Sequence, residues 1–254
     1  MAGFSALVDF SDPHQPDGPR CRHGFANARQ VLMAHEPAQV LALLKEVQQA
    51  AEQGLWCVGY LRYEAAPAFD SALAVHEADG PLAWFAIFDE ALPWPQELGA
   101  SDAVQAKWLQ MPSRPWFDAS VKTLLQAIAD GELYQVNLTA QLAGLLDGMA
   151  GTDLPLALFA ALQRAQPGGY AAYLDTGDEQ LLSVSPELFF DWQGGRLLTR
   201  PMKGTAARGH NPQHDAAQAE ALRTSAKERA ENVMIVDLLR NDVSRIAEPF
   251  SVKV

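Results

Sequence analysis

The sequence predicts an α+β protein with antiparallel sheets. Two observations lead to this fold class: strand and helix patterns are interspersed along the chain, and short turns between strands outnumber the long connections that parallel strands require. The chain has 254 residues, of which 48% are hydrophobic. It is therefore long enough to bury a sizeable core, and its composition is that of a folded protein.

The first part of the chain is predicted to combine strands with one amphipathic helix. Residues 6–10 form a short apolar run that is typical of a strand. A helix is predicted over Pro37–Gln53, because apolar residues recur there at steps of three and four and Gly54 follows as a stop signal. Aromatic-rich runs from Leu55 and from Leu82 predict further strands.

A boundary is predicted between about Glu97 and Arg114. Pro93 and Pro95 interrupt the regular patterns just before it. We therefore predict an N-terminal region over residues 1–110 and a second region over residues 111–254.

The second region is predicted to begin with a helix and to end in a helical part. The same spacing and turn arguments apply to each of its segments. The predicted elements are a helix over Trp116–Asp130, an extended segment over 132–142, a helix over Leu154–Arg164, strands within 168–177, 180–192 and 196–200, a helix break at Pro212 and a long amphipathic helix over Ser225–Arg240.

Composition argues against several classes of protein. The formal net charge of −12 opposes binding to the phosphates of nucleic acid. Cys21 and Cys57 lie in unrelated contexts, which argues against a disulfide framework or a zinc site. The sequence shows no membrane span of about 18 apolar residues and no signal peptide, so we expect a cytoplasmic protein with neither a membrane nor a nucleic-acid partner.

A cationic cluster in this acidic chain marks the first candidate site. Arg200, Lys203 and Arg208 fall within nine residues, and Lys203 lies between a predicted strand and a turn. A lysine amine that is buried beside other cations loses proton affinity and becomes a usable nucleophile or base. Lys203 is therefore a candidate reactive residue, and the alternative is a lysine in a solvated loop.

Two carboxylates on the last predicted helix form the second candidate site. Glu228 and Glu231 stand three residues apart and project from one face, which Ile235 and Leu238 are predicted to continue inward. Mg²⁺ suits such a pair, because it accepts one or two carboxylates and completes its shell with water and an anionic substrate. The alternative is an exposed helix face in which Lys227 flanks the glutamates.

Glu187 is a third candidate, at the head of the apolar segment LFFDW. A carboxyl group beside such a strand can act as a general acid, and the alternative is a turn residue in water. Tyr134, Gln135 and Asn137 are polar residues in an otherwise β-favouring run and are candidates for lining a pocket.

Four segments together resemble the chorismate-binding family, which includes anthranilate synthase component I, aminodeoxychorismate synthase component I, isochorismate synthase and salicylate synthase. They are GELYQVNLT, SVSPELFF, TRPMKGTAARG and KERAENVMIVDLLRNDVSRI, in the order and at the approximate spacing of that family. YEAAPAF and PLAWFAIF resemble the N-terminal portion of the aminodeoxychorismate synthase branch. PMKGT resembles the PIKGT motif of that branch more than the PIAGT motif of anthranilate synthases.

The resemblance implies a role for each candidate residue. Lys203 would attack C2 of chorismate as the C4 hydroxyl departs, and Glu187 would protonate that hydroxyl. Ammonia would then displace the lysine and leave 4-amino-4-deoxychorismate, for the synthesis of p-aminobenzoate and folate. Glu231 and Glu228 would hold the Mg²⁺ that binds the substrate carboxylate.

The resemblance also implies further substrate contacts, a partner and a fold. Gly204 and Thr205 would contact chorismate through backbone and hydroxyl groups, and ammonia would come from a separate glutamine amidotransferase subunit. The implied fold is a four-layer α/β/β/α sandwich of antiparallel sheets. Because the family's domain continues beyond the position of Val254, we expect a C-terminally truncated copy with uncovered apolar faces.

Two other hypotheses remain open. Anthranilate or isochorismate formation would use the same substrate, and in these reactions a lysine at this position would activate water. Alternatively, the chain is a catalytically silent module that binds chorismate or docks a glutaminase subunit.

Overall fold

The computed structural model describes residues 3–15, 18–98, 104–148 and 153–254, which form twelve strands, five α-helices and one 3₁₀ helix. The strands are β1 (Ala6–Phe10), β2 (Cys21–Phe25), β3 (Gln30–Ala34), β4 (Trp56–Leu61), β5 (Ala83–Phe88), β6 (Leu92–Pro93), β7 (Val104–Gln110), β8 (Ala143–Gly148), β9 (Tyr170–Asp175), β10 (Gln180–Ser185), β11 (Leu188–Gln193) and β12 (Arg196–Arg200). The helices are α1 (Pro37–Glu52), the 3₁₀ helix (Tyr63–Ala68), α2 (Arg114–Ala129), α3 (Leu154–Ala165), α4 (Pro212–Thr224) and α5 (Ala226–Ser244).

The strands form four sheets in the described residues, with the orders β10-β9-β1-β2-β6, β3-β5-β4, β7-β8 and β11-β12. Strand β5 pairs antiparallel with both β3 and β4, and the β7–β8 and β11–β12 pairs are also antiparallel. Helices and antiparallel strands are thus interspersed along one chain, and the predicted α+β class is confirmed.

The chain divides by its contacts into two compact units. Unit 1 comprises Met1–Leu7, Gly24–Ala165 and Tyr173–Leu182, and unit 2 comprises Val8–His23, Gln166–Ala172 and Ser183–Val254. This grouping does not follow the predicted division at residues 110 and 111, because unit 1 continues through that position. The division into those two sequence regions stays a prediction.

Helix α1 packs on the sheet of β3, β5 and β4 in unit 1. At its start the backbone N–H of Glu36 donates a hydrogen bond to the side-chain oxygen of Gln39 at 3.1 Å, and at its end Gly54 adopts a φ of +82°. Val40 and Leu43 are buried in a cluster with residues of the sheet. Burial of each such side chain stabilises the fold by roughly 1.5–3 kcal/mol, which explains why the apolar spacing predicted this helix correctly.

Strands β11 and β12 form a hairpin in unit 2, and the candidate site lies at the open end of this hairpin. Its turn consists of Gly194 and Gly195, whose φ values are +55° and +76°. Two residues with positive φ suit the tight turn between right-twisted antiparallel strands. Phe189 and Trp192 on β11 are 79% and 71% exposed, so this hairpin presents large apolar side chains on its surface.

Several predicted elements differ from the observed ones. The run from Leu55 was predicted to be β-favouring throughout, but Tyr63–Ala68 is a 3₁₀ helix that contains Pro67, and proline lacks the N–H that a sheet ladder requires. The predicted connector between about Glu97 and Arg114 contains β7, whereas its residues 99–103 lie outside the described ones.

Two further predictions are wrong in detail. The segment 132–142 contains no assigned strand, and β8 begins just after it. The apolar run over 180–192 is two strands, β10 and β11, because Pro186 interrupts the ladder between them.

In the part of the chain that the structure covers, no helix is both long and apolar enough to cross a bilayer.

Candidate functional site

The register of the β11–β12 hairpin brings Glu187 next to the PMKGT segment. Leu188 pairs with Arg200 at the open end of the hairpin, so the residue before Leu188 faces the residues after Arg200. The backbone N–H of Met202 donates a hydrogen bond to Glu187 Oε1 at 2.8 Å. One carboxylate oxygen of the predicted general acid is therefore held by the residue that precedes Lys203.

A local turn fixes the backbone of Glu187. The hydroxyl of Ser185 accepts a hydrogen bond from the backbone N–H of Glu187 at 3.2 Å and donates one to its carbonyl oxygen at 3.0 Å. Serine hydroxyls commonly stabilise turns in this way, and Pro186, which lies between Ser185 and Glu187, has a φ fixed by its ring. The sequence Ser-Pro-Glu thus positions the Glu187 side chain through short-range contacts.

Gly204, on the other side of Lys203, lies against the carboxylate of Glu228. Its φ is +78°, and a Cβ atom at this position would lie 2.6 Å from Glu228 Oε2. Only glycine accommodates both the positive φ and the close approach of the side chain. Lys203 is partly buried between its two neighbours, one of which binds Glu187 while the other adjoins Glu228.

Glu228 and Glu231 both point to the ammonium of Lys227. The distances from Lys227 Nζ are 3.1 Å to Glu228 Oε1 and 4.0 Å to Glu231 Oε2, and the two glutamate side chains are 21% and 28% exposed. The hydrogen bond to Glu228, with the charges of both glutamates, raises the pKa of Lys227. Ser225 caps helix α5 by accepting a hydrogen bond from the backbone N–H of Glu228 at 3.3 Å.

The glutamate pair has the donor chemistry that Mg²⁺ requires. Among the described residues, no group of three or more His, Cys, Asp or Glu side chains is arranged to hold a metal ion. Glu228 and Glu231 nevertheless converge on one cationic atom, Lys227 Nζ. Mg²⁺ commonly binds one or two carboxylates and retains water or substrate oxygens in its remaining positions, so the pair fits this ion.

Other predicted residues lie in different surroundings. Thr205 is exposed. Arg208 binds the carboxylate of Asp215 through two hydrogen bonds of 2.7 and 2.8 Å. Leu238 is 55% exposed, so the predicted inward face of α5 does not extend to it, and Tyr134 is 89% exposed.

Sequence reasoning missed the contacts that connect the candidate residues. The hydrogen bond from the Met202 N–H to Glu187 and the close approach of Gly204 to Glu228 involve backbone groups. The pattern of side chains along the sequence therefore does not reveal them. The contact between Lys227 and Glu231 did have a signal, because the two residues stand four apart on one helix and such pairs meet on a helix surface.

The chain matches a family model described as chorismate binding enzyme over residues 6–254. The match covers the four motifs and the N-terminal strands together. The chain belongs to the chorismate-binding enzyme family.

Curated relatives from two branches of this family are similar to the chain. It is 35% identical over 184 residues to aminodeoxychorismate synthase component 1 of Salmonella typhimurium, which covers 72% of this chain and 38% of that protein. Aminodeoxychorismate synthase of Streptomyces griseus is 49% identical over 129 residues, covering 50% of this chain and 17% of that protein. Anthranilate synthase component 1 of Haloferax volcanii is 38% identical over 144 residues, covering 56% and 26% respectively.

A solved structure shows the same fold. The 2,3-dihydroxybenzoate-specific isochorismate synthase DhbC of Bacillus anthracis superposes with a TM-score of 0.68 at 19% identity, covering 96% of this chain and 60% of that one. At this identity the likeness concerns the fold alone, and it confirms the fold of the chorismate-binding family. The chain spans 60% of that structure and 38% of the Salmonella relative.

Proposed function

We propose that the protein aminates chorismate at C4 and forms 4-amino-4-deoxychorismate. The observation that carries this proposal is the placement of Lys203 between Met202, which binds Glu187, and Gly204, which adjoins Glu228. A nucleophile, an acid and a carboxylate pair that suits a metal ion thus stand around one short segment. Relatives named aminodeoxychorismate synthase, at 35% and 49% identity, support the same reaction.

In the first step, the Lys203 amine forms a bond to C2 of chorismate. The ring double bonds shift, and the C4–O bond breaks with its electron pair on oxygen. Glu187 supplies the proton with which the hydroxyl leaves as water. General acid catalysis of this kind typically contributes 10²- to 10⁴-fold to a rate.

In the second step, ammonia forms a bond to C4 and the double bonds shift back. The Nζ–C2 bond breaks, and its electron pair returns to the lysine amine. The Glu187 carboxylate takes up the proton that the incoming ammonia releases. Chorismate and ammonia are thereby converted to 4-amino-4-deoxychorismate and water, and both residues return to their starting states.

Glu228 and Glu231 would hold Mg²⁺, with Lys227 moving away from the pair into solvent. The ion, when bound, supplies positive charge that neutralises the carboxylate of the substrate. Lys227 is 80% exposed, so its ammonium can be released without unpacking a core. We propose a glutamine amidotransferase as the source of ammonia, because the similar proteins named "component 1" imply a second component. The product would serve p-aminobenzoate and folate synthesis.

The experiment that tests this function combines a product assay with intact-mass measurement. The chain is incubated with chorismate, Mg²⁺ and ammonium, and products are separated by liquid chromatography and identified by mass. Lys203→Ala removes the proposed nucleophile, and Lys253→Ala is the matched control at a second lysine. We expect the parent and the control to form 4-amino-4-deoxychorismate. Both should also show a covalent lysine adduct by intact mass, which disappears when ammonium is added. Lys203→Ala should give neither the product nor the adduct.

Other outcomes would assign other functions. Anthranilate or isochorismate as the product would replace the proposed reaction with another chorismate reaction. Saturable chorismate binding without product or adduct would identify a silent binding module. Full activity in Lys203→Ala would refute the role of this lysine.

A further inference from the structure

A cluster of charged and polar groups in unit 2 surrounds the buried carboxylate of Asp9. Asp9 is 5% exposed and forms ion pairs with Arg20 and with Arg22, the latter at 3.3 Å. A carboxylate removed from water is stable only if it is paired and hydrogen-bonded. The buried carboxylate therefore gives Arg20 a fixed anchor.

The guanidinium of Arg20 extends from this anchor to a neighbouring loop. It donates hydrogen bonds to the backbone carbonyl of Asp9 at 2.9 Å, to the hydroxyl of Ser11 at 2.6 Å and to the backbone carbonyl of Gly169 at 2.8 Å. The Ser11 hydroxyl in turn donates to the carbonyl of Gly168 at 2.6 Å. The planar donor fork of arginine can make these contacts simultaneously, whereas an ammonium cannot span them.

Gly169 lies directly against the Ser-Pro-Glu turn. A Cβ atom on Gly169 would lie 2.3 Å from the carbonyl oxygen of Ser185 and 3.5 Å from Cα of Pro186. The two backbones are thus in direct contact, so a shift of the Gly169 loop would press on the turn at Ser185. Ser185 holds both backbone groups of Glu187, whose carboxylate accepts the bond from the Met202 N–H.

We propose that Arg20 is a positioning residue for Glu187, acting through Gly169 and Ser185. Arg20 holds the carbonyl of Gly169, Gly169 supports the turn at Ser185, and the turn aims the Glu187 carboxylate at the segment that carries Lys203. The catalytic consequence rests on the proposed function, whereas the mechanical coupling between Arg20 and Glu187 does not.

The first test measures this coupling without any activity. The N–H of Met202 is hydrogen-bonded to the Glu187 carboxylate, so its exchange rate with solvent reports where that carboxylate lies, and amide exchange resolved by NMR gives the rate. In Arg20→Lys we expect the Met202 amide to exchange roughly threefold to tenfold faster, the range that corresponds to losing about one hydrogen bond. Glu187→Ala marks the limit for a lost carboxylate.

A matched control and a second variant keep this test decisive. Arg29→Ala removes an arginine whose ion pair with Asp89, at 3.0 Å, is exposed, and it should leave the Met202 amide unchanged. Arg20→Lys retains the charge opposite Asp9, so the variant should fold, with a free energy of unfolding lowered by the loss of the hydrogen bonds that an ammonium cannot make. If Arg20→Lys fails to fold, Ser11→Ala removes one contact of the cluster and should give a smaller acceleration in the same direction.

Unchanged exchange of Met202 in a folded Arg20→Lys or Ser11→Ala variant would overturn the proposal. An equal acceleration in helix α1, which belongs to unit 1, would overturn it as well, because the effect would then be general loss of stability. In the product assay we expect Arg20→Lys to lower kcat with KM retained. A parent chain that makes no product, together with an accelerated Met202 amide, would refute the proposed function and leave the coupling intact.

Discussion

Replacing Gly204 by alanine tests the closest contact in the candidate site. The substitution adds a Cβ atom at a φ of +78°, where it would lie 2.6 Å from Glu228 Oε2 and 3.2 Å from Leu222 Cδ1. Two costs follow, one from the backbone and one from the contact. Gly195 offers a matched control, because its φ is +76° and a Cβ atom there would meet nothing within 4 Å.

The two costs can be estimated separately. A non-glycine residue in the left-handed region costs roughly 1–2 kcal/mol, and the stiffer unfolded chain returns about 0.4–1 kcal/mol, so Gly195→Ala should lower the free energy of unfolding by about 1 kcal/mol. Overpacking adds typically 1–3 kcal/mol. The lower end applies to Gly204→Ala, because the obstructing atom ends a flexible side chain, and we expect a total loss of about 2 kcal/mol.

Urea unfolding followed by circular dichroism measures both variants, and a double-mutant cycle identifies the cause of the difference. In the background of Glu228→Ala, Gly204→Ala should cost about as much as Gly195→Ala, about 1 kcal/mol. The backbone strain remains, and the Leu222 Cδ1 methyl at 3.2 Å needs to move by only a few tenths of an ångström. An additional cost that persists without the Glu228 carboxylate would refute the reasoning. So would equal losses for both glycine variants in the parent chain.

Three further predictions concern unit 1. Gly59→Ala places a Cβ atom 2.2 Å from the backbone oxygen of Trp84, so we expect it to cost about 3 kcal/mol or more and to lower Tm markedly; a Tm within a few degrees of the parent would contradict this. Although burial alone raises the pKa of Glu179, hydrogen bonds from Tyr60 at 2.5 Å and Arg62 at 2.6 Å lower it overall. Its stabilisation is therefore complete above pH 4.5 and decreases as the pH falls through the lowered value; Glu179→Gln should flatten that part of the stability curve, and an unchanged curve would count against the assignment. Burial, together with the hydrogen bond to Glu179, raises the pKa of Tyr60 to about 12, and Tyr173 also has a pKa of about 12. Spectrophotometric titration of Tyr60→Phe should therefore show one ionisation fewer near pH 12 than the parent. Loss of an ionisation near pH 10 instead would contradict the raised pKa of Tyr60.

The local elements that the sequence predicted best are those with strong short-range signals. Helix α1 has regular apolar spacing, a proline at its start and a glycine after its end, and it forms as expected. The Gly194–Gly195 turn likewise follows from residues that tolerate positive φ. The segment 132–142 was predicted to be extended and contains no assigned strand, because β propensity describes how side chains fit a half-buried sheet and depends on neighbours that a sequence does not reveal.

For the candidate site too, the sequence predicted the local features and not the long-range contacts. Four motifs in the order of one family were enough to identify the family and to select Lys203, Glu187, Glu228 and Glu231, because residue types and their spacing are properties of the sequence itself. Spacing on one helix also made the meeting of Lys227 and Glu231 foreseeable.

Only the tertiary structure decided how these groups are held. Arg20 and Gly169 are 149 residues apart, and Gly204 and Glu228 lie on different elements, so no local propensity connects either pair. Such contacts form when folding brings distant backbone segments together and every buried charge or polar group must find a partner. The choice of candidate residues is therefore a property of the sequence, whereas the contacts that join Asp9, Arg20 and Gly169 are a property of the fold.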